Sequence, residues 1–176
     1  MSREREGSLS MSLMILYVDN ETELLTIFEL TFRDDYHIKT SNNPIDALQM
    51  LSDCPAEIII SDQMMPQMNG TEFLRMAARL CPEAFRIMLT GNAAVGDVFS
   101  EIASGVINIF IPKPWNESQM KGFLMLAENT LTRRSNSEKS ITRSLKKKST
   151  ELKLSVSGVV GTLTAAKNSF LPIDFC

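Results

Sequence analysis

The stretch EIIISDQMMPQMNG, residues Glu57 to Gly70, decides the fold class of this chain. Three isoleucines run directly into Ser61 and Asp62, and two methionines, a proline and a glycine follow. A short apolar run bounded by turn-forming residues is typical of a strand buried on both faces of a sheet. A strand of that kind needs no carboxylate at its end. Asp62 is therefore either a cap for the next backbone amides or a reactive group at the edge of a sheet.

The same alternation of apolar runs and amphipathic segments continues along the chain. The pattern predicts strands over 13–18, 36–40, 57–61, 85–90 and 107–111, and helices over 21–32, 43–53, 70–80, 95–104 and 116–131. Asn43 is a predicted N-cap, and Pro44 suits the first helical turn. Five strand–helix units predict an α/β fold with a doubly wound, five-stranded parallel sheet. Ligands of such sheets bind at the carboxyl ends of the strands.

Polar residues follow four of the predicted strands at that edge. They are Asp19, Asn20 and Glu21 after the first strand, Asp62 after the third, Thr90 after the fourth and Lys113 after the fifth. Acids gathered there repel each other unless a cation lies between them, and Mg²⁺ with oxygen ligands is the expected ion. The Thr90 hydroxyl and the Lys113 ammonium suit the oxygens of a phosphoryl group. Asp62 is the expected nucleophile, since a carboxylate can form an aspartyl phosphate.

Four segments at these strand ends resemble the response regulator receiver domain of bacterial two-component signalling. The segments are ILYVDNE, ISDQMMPQMNG, IMLTG and FIPKPW, in the order and spacing of that family, and the resemblance covers about residues 13–131. It implies a flavodoxin-like (βα)₅ fold and phosphorylation of Asp62 by a histidine kinase or a histidine phosphotransfer protein, with Mg²⁺. It also implies a signalling domain rather than an enzyme, one that catalyses only its own phosphoryl transfer and dephosphorylation.

The resemblance assigns further roles to single residues. It implies that Asp19, Asn20, Asp62 and the backbone carbonyl of Met64 bind the metal, and that Thr90 and Lys113 hold the phosphate. Thr90 and Phe110 would form the conformational switch, and the Lys113–Pro114 peptide bond would be cis. The surface of the fourth helix, fifth strand and fifth helix, about 95–131, would be a possible homodimer interface.

One departure from the family leaves a second function open. Asn20 stands where the family usually has a second acid, so the site loses one negative charge. This predicts weaker Mg²⁺ binding than in a typical receiver. The alternative function is a pseudo-receiver, a protein-binding module that works without phosphorylation.

Other classes of protein fit the sequence poorly. Neither phosphate-binding glycine motif, G-x-x-x-x-G-K-[ST] or G-x-G-x-x-G, is present. Cys54, Cys81 and Cys176 are too widely spaced for a metal knuckle or a redox pair. The start of the chain is charged and polar, and no apolar run reaches the length of a membrane span. We therefore expect a cytoplasmic protein that does not bind membranes.

The composition changes near residue 131. Residues 131–176 carry nine Lys or Arg and three acids, a net +6, which leaves –9 for residues 1–130 because the total is –3. We therefore expect a flexible tail over 1–12, a receiver domain over 13–131, and a basic extension over 132–176 that is helical, disordered or a truncated linker. Basic runs are more often solvated than bound to nucleic acid, so nucleic-acid binding is not expected. Apolar residues at near-helical spacing leave open a continued fifth helix or a short coiled coil: Ile141, Leu145, Leu152, Val156, Val159 and Leu163.

Overall fold

The computed structural model describes residues 13–91 and 100–168, in which strands and helices alternate as predicted. The strands are β1 (Met14–Val18), β2 (His37–Ser41), β3 (Ile58–Asp62), β4 (Phe85–Thr90) and β5 (Ile109–Pro112). The helices are α1 (Thr22–Phe32), α2 (Pro44–Asp53), α3 (Gly70–Leu80), the helical residues 100–103, here α4, and α5 (Glu117–Asn168). The predicted tail over 1–12 and the start of the helix predicted over 95–104 lie outside the described residues.

The five strands form one parallel sheet in the order β2-β1-β3-β4-β5. The predicted doubly wound sheet is therefore confirmed. Chain order reverses beside β1, so β1 and β3 are neighbours and their carboxyl ends flank the topological switch point. Ser61 of β3 pairs with Val18 of β1, so the residues after Val18 lie beside Asp62.

The core forms two layers because alternate residues of each strand point to opposite faces. On one face, Ile15 and Tyr17 join the buried residues of α1 and α5. On the other face, Leu16 and Val18 join those of α2 and α3. All five residues of β3 and all six of β4 are buried, which explains their nearly continuous apolar sequence.

Side-chain caps fix where α2 and α3 begin. The Asn43 side chain accepts a hydrogen bond from the backbone N–H of Ile45, and Pro44 is the first helical residue, as predicted. At α3, the Asn69 side chain accepts from the Glu72 N–H, and the Glu72 side chain accepts from the Asn69 N–H. This capping box anchors the loop that follows β3.

Several element boundaries differ from the predicted ones, and two of these differences bear on the site and on the extension. Asp62 is the last residue of β3 instead of the first after it. The pattern predicts the fifth helix over 116–131 and leaves its continuation open; α5 continues to Asn168, so the continued helix is the form observed. No proline or glycine interrupts the chain between Leu131 and Gly158, which removes the usual helix-ending signals.

The described residues group into two compact units, which divide between Leu131 and Thr132. In the second unit, nearly all side chains described up to residue 150 are exposed. None of the helices in the described part of the chain combines the length and the hydropathy that a membrane span requires.

Candidate functional site

Two buried carboxylates meet at the carboxyl edge of the sheet. Asp19 follows β1 and is 0% exposed, and Asp62 ends β3 and is 4% exposed. They are neighbours because β1 and β3 pair in register up to Val18 and Ser61. Burying two like charges is costly unless a cation or hydrogen-bond donors offset them.

Lys113 provides the cation. Its Nζ lies 2.8 Å from Asp19 Oδ2 and 2.8 Å from Asp62 Oδ1, and the Lys113 side chain is only 14% exposed. The exposed carboxylate of Glu21 lies 3.3 Å from the same nitrogen. Burial lowers the pKa of Lys113, but hydrogen bonds to Asp19 and Asp62 outweigh burial and raise it above the ordinary value. The ammonium therefore stays charged throughout the neutral range.

The remaining carboxylate oxygens accept fixed hydrogen bonds. The backbone N–H of Met64 donates to Asp62 Oδ2 at 2.7 Å, and that of Glu21 donates to Asp19 Oδ1 at 3.0 Å. Asp19 Oδ2, which Lys113 also contacts, accepts a further hydrogen bond from the Tyr17 hydroxyl at 2.6 Å. Burial, reinforced by the bond to Asp19, raises the pKa of Tyr17, so its hydroxyl remains a donor. Each carboxylate is thus held in a single orientation.

Gly70 sets how closely α3 approaches this site. A Cβ at residue 70 would lie 2.1 Å from the backbone oxygen of Asp62, far inside contact distance. Its N–H also donates to the carbonyl of Gln63 at 3.0 Å. Only glycine lets α3 start directly against the end of β3, which keeps the loop over 63–69 short and close to Asp62.

Thr90 and Phe110 lie on neighbouring strands. Thr90 ends β4 and is buried. Its backbone carbonyl accepts a hydrogen bond of 2.8 Å from the backbone N–H of Lys113. Phe110 pairs with Met88, two residues before Thr90, so Thr90 and Phe110 share one face of the sheet. The Phe110 ring is half-buried against the core layer of α2 and α3.

The loop after β5 contains the tryptophan of this chain, whose fluorescence can be measured. The Lys113–Pro114 bond is cis, as expected. Trp115, the single tryptophan, is half-buried and meets the Phe28 ring edge-on, with ring centroids 6.0 Å apart. Its fluorescence therefore reports on the segment that holds Lys113.

The donors of the site fit a hard cation held through two carboxylates. Asp19 and Asp62 present oxygens around one point, and Mg²⁺ is commonly bound by one or two carboxylates with several waters. Asn20 follows Asp19 and is exposed, so it adds a neutral oxygen at most. The described residues contain no cluster of three or more His, Cys, Asp or Glu able to hold a metal. The two carboxylates would therefore balance less of the cation's charge than the three carboxylates of a more acidic site.

The structure brings Asp19, Asp62 and Lys113 into direct contact and places Thr90 on the adjoining strand. Sequence reasoning missed two contributors, Tyr17 and Gly70. Side chains two apart on a strand point to the same face, and Tyr17 lies two residues before Asp19. This spacing was the sequence signal that could have identified Tyr17. The clash that excludes a side chain at residue 70 depends on the approach of α3 to β3, and no local sequence pattern encodes it.

A known protein family matches more than half of the chain. The family described as response regulator receiver domain matches residues 15–124. The hydrogenase transcriptional regulatory protein HoxA of Cupriavidus necator is 30% identical over 101 residues, which are 57% of this chain and 21% of that protein. This chain thus spans about a fifth of the length of the first curated relatives it matches.

Solved structures agree on the fold. A structure described as adenylate cyclase from Rhodopirellula baltica superposes with a TM-score of 0.71 at 25% identity, covering 75% of this chain and 98% of that one. A response regulator receiver domain protein (CheY-like) from Methanospirillum hungatei gives a TM-score of 0.63 at 24% identity, covering 72% of this chain and 98% of that one. Each superposition covers nearly the whole of the solved chain.

Proposed function

This chain belongs to the response regulator receiver domain family, and on that premise we propose that it is a cytoplasmic phosphoacceptor switch of a two-component phosphorelay. Asp62 is the phosphorylated residue, and the receiver part is residues 13–131. The donor is a phosphohistidine on a histidine kinase or histidine phosphotransfer protein. The observation that carries the proposal is the shared Lys113 ammonium, 2.8 Å from both Asp19 and Asp62.

The arrangement suits phosphoryl transfer to Asp62. A carboxylate oxygen of Asp62 attacks phosphorus, an O–P bond forms, and the N–P bond of the phosphohistidine breaks with its electron pair left on nitrogen. The Met64 N–H holds the Asp62 carboxylate in position, and the Lys113 ammonium offsets charge on the transferred group. Asp19, Asp62, Asn20 and the Met64 carbonyl would hold Mg²⁺, which supplies charge neutralisation for the phosphoryl oxygens.

Phosphorylation would change the charge that Lys113 faces. The phosphoryl group carries roughly 1.5 to 2 negative charges and three acceptor oxygens beside the ammonium, while Asp62 loses its own single charge, so the net gain is at most about one charge. The hydroxyl of Thr90, on the strand next to Asp62, is the neutral donor placed to reach those oxygens. Movement of Thr90 would alter the space beside Phe110 on the same sheet face. The surface around α4, β5 and α5 would then shift between two packings and select a partner.

Intact-mass measurement after exposure to acetyl phosphate and Mg²⁺ tests this function. The wild-type chain gains one phosphoryl mass, and Asp62→Asn gains none. Asp46→Asn, which removes an exposed acid in the first turn of α2, is the matched control and keeps the gain. An unmodified wild-type chain, under conditions that label a known receiver, would refute the proposal.

A pseudo-receiver is the second candidate, and one observation favours it. Asn20 stands where the family usually has an acid, so the site has one negative charge fewer. Such a module would bind its partner equally well with and without acetyl phosphate. A partner affinity that Asp62→Asn leaves unchanged, together with no mass gain, would identify this function instead.

A further inference from the structure

Two large apolar side chains of α5 are exposed in the second unit. Ile141 is 60% exposed and Leu145 is 62% exposed. One exposed leucine is ordinary on a protein surface, but these two residues are four apart and lie on the same side of the helix. The helix continues to Asn168, which extends this side by several turns.

The sequence continues the apolar stripe with an 11-residue repeat. Ile141, Leu152 and Leu163 are successive members of one repeat position, and Leu145 and Val156 are members of a second. At 3.6 residues per turn, these residues and Val159 fall within about 60° of the helix circumference. A repeat of 11 residues has about 3.67 residues per turn, so the stripe hardly drifts around a straight helix. We call these six residues the apolar stripe.

Most basic residues of the same part of the helix lie away from the stripe. Helical spacing places five of them about 90° to 170° around the helix from the middle of the stripe: Lys139, Arg143, Lys146, Lys147 and Lys153. Lys148 is the exception, because it lies only about 20° beyond the edge of the stripe. The segment is therefore amphipathic, with a narrow apolar side and a broad cationic side.

We propose that the apolar stripe pairs with the stripe of a second copy of this chain. A second copy carries the same 11-residue repeat, so matched positions meet along the whole length, as supercoiled helices require. The narrow width suits contact with one helix. The basic residues point away from such a contact, so the like charges of the two copies do not meet across it.

Other occupants fit the geometry less well. A membrane-surface helix also carries basic residues opposite its apolar face, so the charges alone do not separate the two occupants. The width does, because a stripe of about 60° is typical of a narrow coiled-coil seam. The stripe also lacks the aromatic residues common in interfacial helices. An acidic surface or nucleic acid would engage the cationic side and leave Ile141 and Leu145 exposed to water.

Lys148 sets the orientation of the pair. In a parallel pair the two Lys148 ammoniums would face each other in the seam, a like-charge contact that is destabilising. In an antiparallel pair centred on Leu152, Lys148 lies opposite Val156, and Ile141 lies opposite Leu163. The pairing is therefore antiparallel. It does not depend on phosphorylation of Asp62.

Sedimentation equilibrium of the full chain across a concentration series tests the pairing. The wild-type chain sediments at about twice its 19.7 kDa mass and dissociates on dilution. Leu152→Glu, in the centre of the stripe, raises the dissociation constant at least about tenfold. Leu154→Glu makes the same substitution two residues away, on the cationic side, and leaves the dissociation constant unchanged. Trp115 fluorescence checks that the receiver part of each variant is folded.

Three outcomes overturn the proposal. They are a wild-type chain that stays monomeric, a dimer that Leu152→Glu does not weaken, and equal effects of the two glutamate substitutions. A monomer that binds vesicles of anionic phospholipid, and loses that binding in Leu152→Glu, assigns the stripe to a membrane instead.

A distance between spin labels tests the orientation. Ser140→Cys is labelled in a chain with Cys54→Ser, Cys81→Ala and Cys176→Ser, which removes the native thiols. The antiparallel register puts the two labelled backbones about 36 Å apart, from 1.5 Å per residue on each side of Leu152. A separation of about 10 Å, that of two adjacent parallel helices, contradicts the antiparallel register.

Discussion

Replacing Lys113 with methionine should destabilise the receiver part far more than replacing either acid it contacts. The substitution keeps a long apolar stem and removes only the ammonium, which lies 2.8 Å from Asp19 Oδ2 and from Asp62 Oδ1. Two buried carboxylates then face each other without a cation. Removing one member of a buried charged group is costly for this reason.

The geometry gives the size of the effect. Because both oxygens lie 2.8 Å from one nitrogen, they are at most about 5.6 Å apart. Two unit charges at that separation repel by about 3 kcal/mol at an effective dielectric constant of about 20. Lys113→Met should therefore lower the free energy of unfolding by about 3 kcal/mol, the lower end of the range for a broken buried pair.

A double-mutant cycle separates this repulsion from lost packing. Asp62→Asn alone should cost less than about 1 kcal/mol, because the ammonium keeps Asp19 and Glu21 as partners. In Lys113→Met/Asp62→Asn only one buried carboxylate remains, so the added cost of losing Lys113 should fall by about 2 kcal/mol. Urea unfolding in EDTA, followed by Trp115 fluorescence and circular dichroism, measures all four states.

Lys121→Met is the matched control. Lys121 pairs with Asp35 at 3.9 Å, and both side chains are more than half exposed, so its loss should change stability little. The reasoning is refuted if Lys113→Met costs no more than Lys121→Met, or if the penalty is the same with Asp62 and with Asn at residue 62.

Three further predictions follow from the same site. Asn20→Asp restores a second acid after β1 and should tighten Mg²⁺ binding about tenfold, measured by tryptophan fluorescence titration; unchanged affinity would show that residue 20 does not contact the ion. Gly70→Ala should lower the unfolding free energy by about 3 kcal/mol or prevent folding, since its Cβ would lie 2.1 Å from a backbone oxygen. Gly122→Ala, which has no atom within 4 Å, should instead stabilise α5 by up to about 1 kcal/mol, and a similar loss at both glycines would contradict the assigned clash. The folded-state pKa of Lys113 is raised, because hydrogen bonds to the acids outweigh burial. Its contribution to stability is therefore fully present below the ordinary value of 10.5 and is lost as pH rises through the higher folded value. The stability difference between wild type and Lys113→Met should thus stay constant from neutral pH up to about pH 10.5 and fall above it, and a difference that fades near neutral pH would count against this.

The sheet was predictable because each of its strands is a short run ending in a recognisable turn or polar residue. The runs 57–61 and 85–90 are nearly all apolar, and β3 and β4 are the strands buried on both faces. Parallel strands carry their end residues to one edge, so the meeting of Asp19 and Asp62 with Lys113 could be predicted from order alone.

The contacts that refine the site could not be predicted in the same way. The sequence required a cation between the acids but did not say that the Lys113 ammonium would lie within 2.8 Å of both. In the sequence, Tyr17 is indistinguishable from the other residues of an apolar strand, although its hydroxyl donates a hydrogen bond to Asp19. The sequence left open whether α5 continues past residue 131, because a change in composition does not end a helix and no helix-breaking residue follows Leu131 before Gly158.

The position of the phosphoryl group tests the central claim most directly. After treatment with acetyl phosphate and Mg²⁺, borohydride reduction traps an aspartyl phosphate for peptide sequencing by mass spectrometry. Complete cleavage after Lys and Arg separates Asp62, in the peptide over 40–75, from Asp19 and Glu21, in the peptide over 6–33. The account predicts a single modification in the peptide over 40–75, at Asp62. A modification in the peptide over 6–33, or at another acid of the peptide over 40–75, would contradict it.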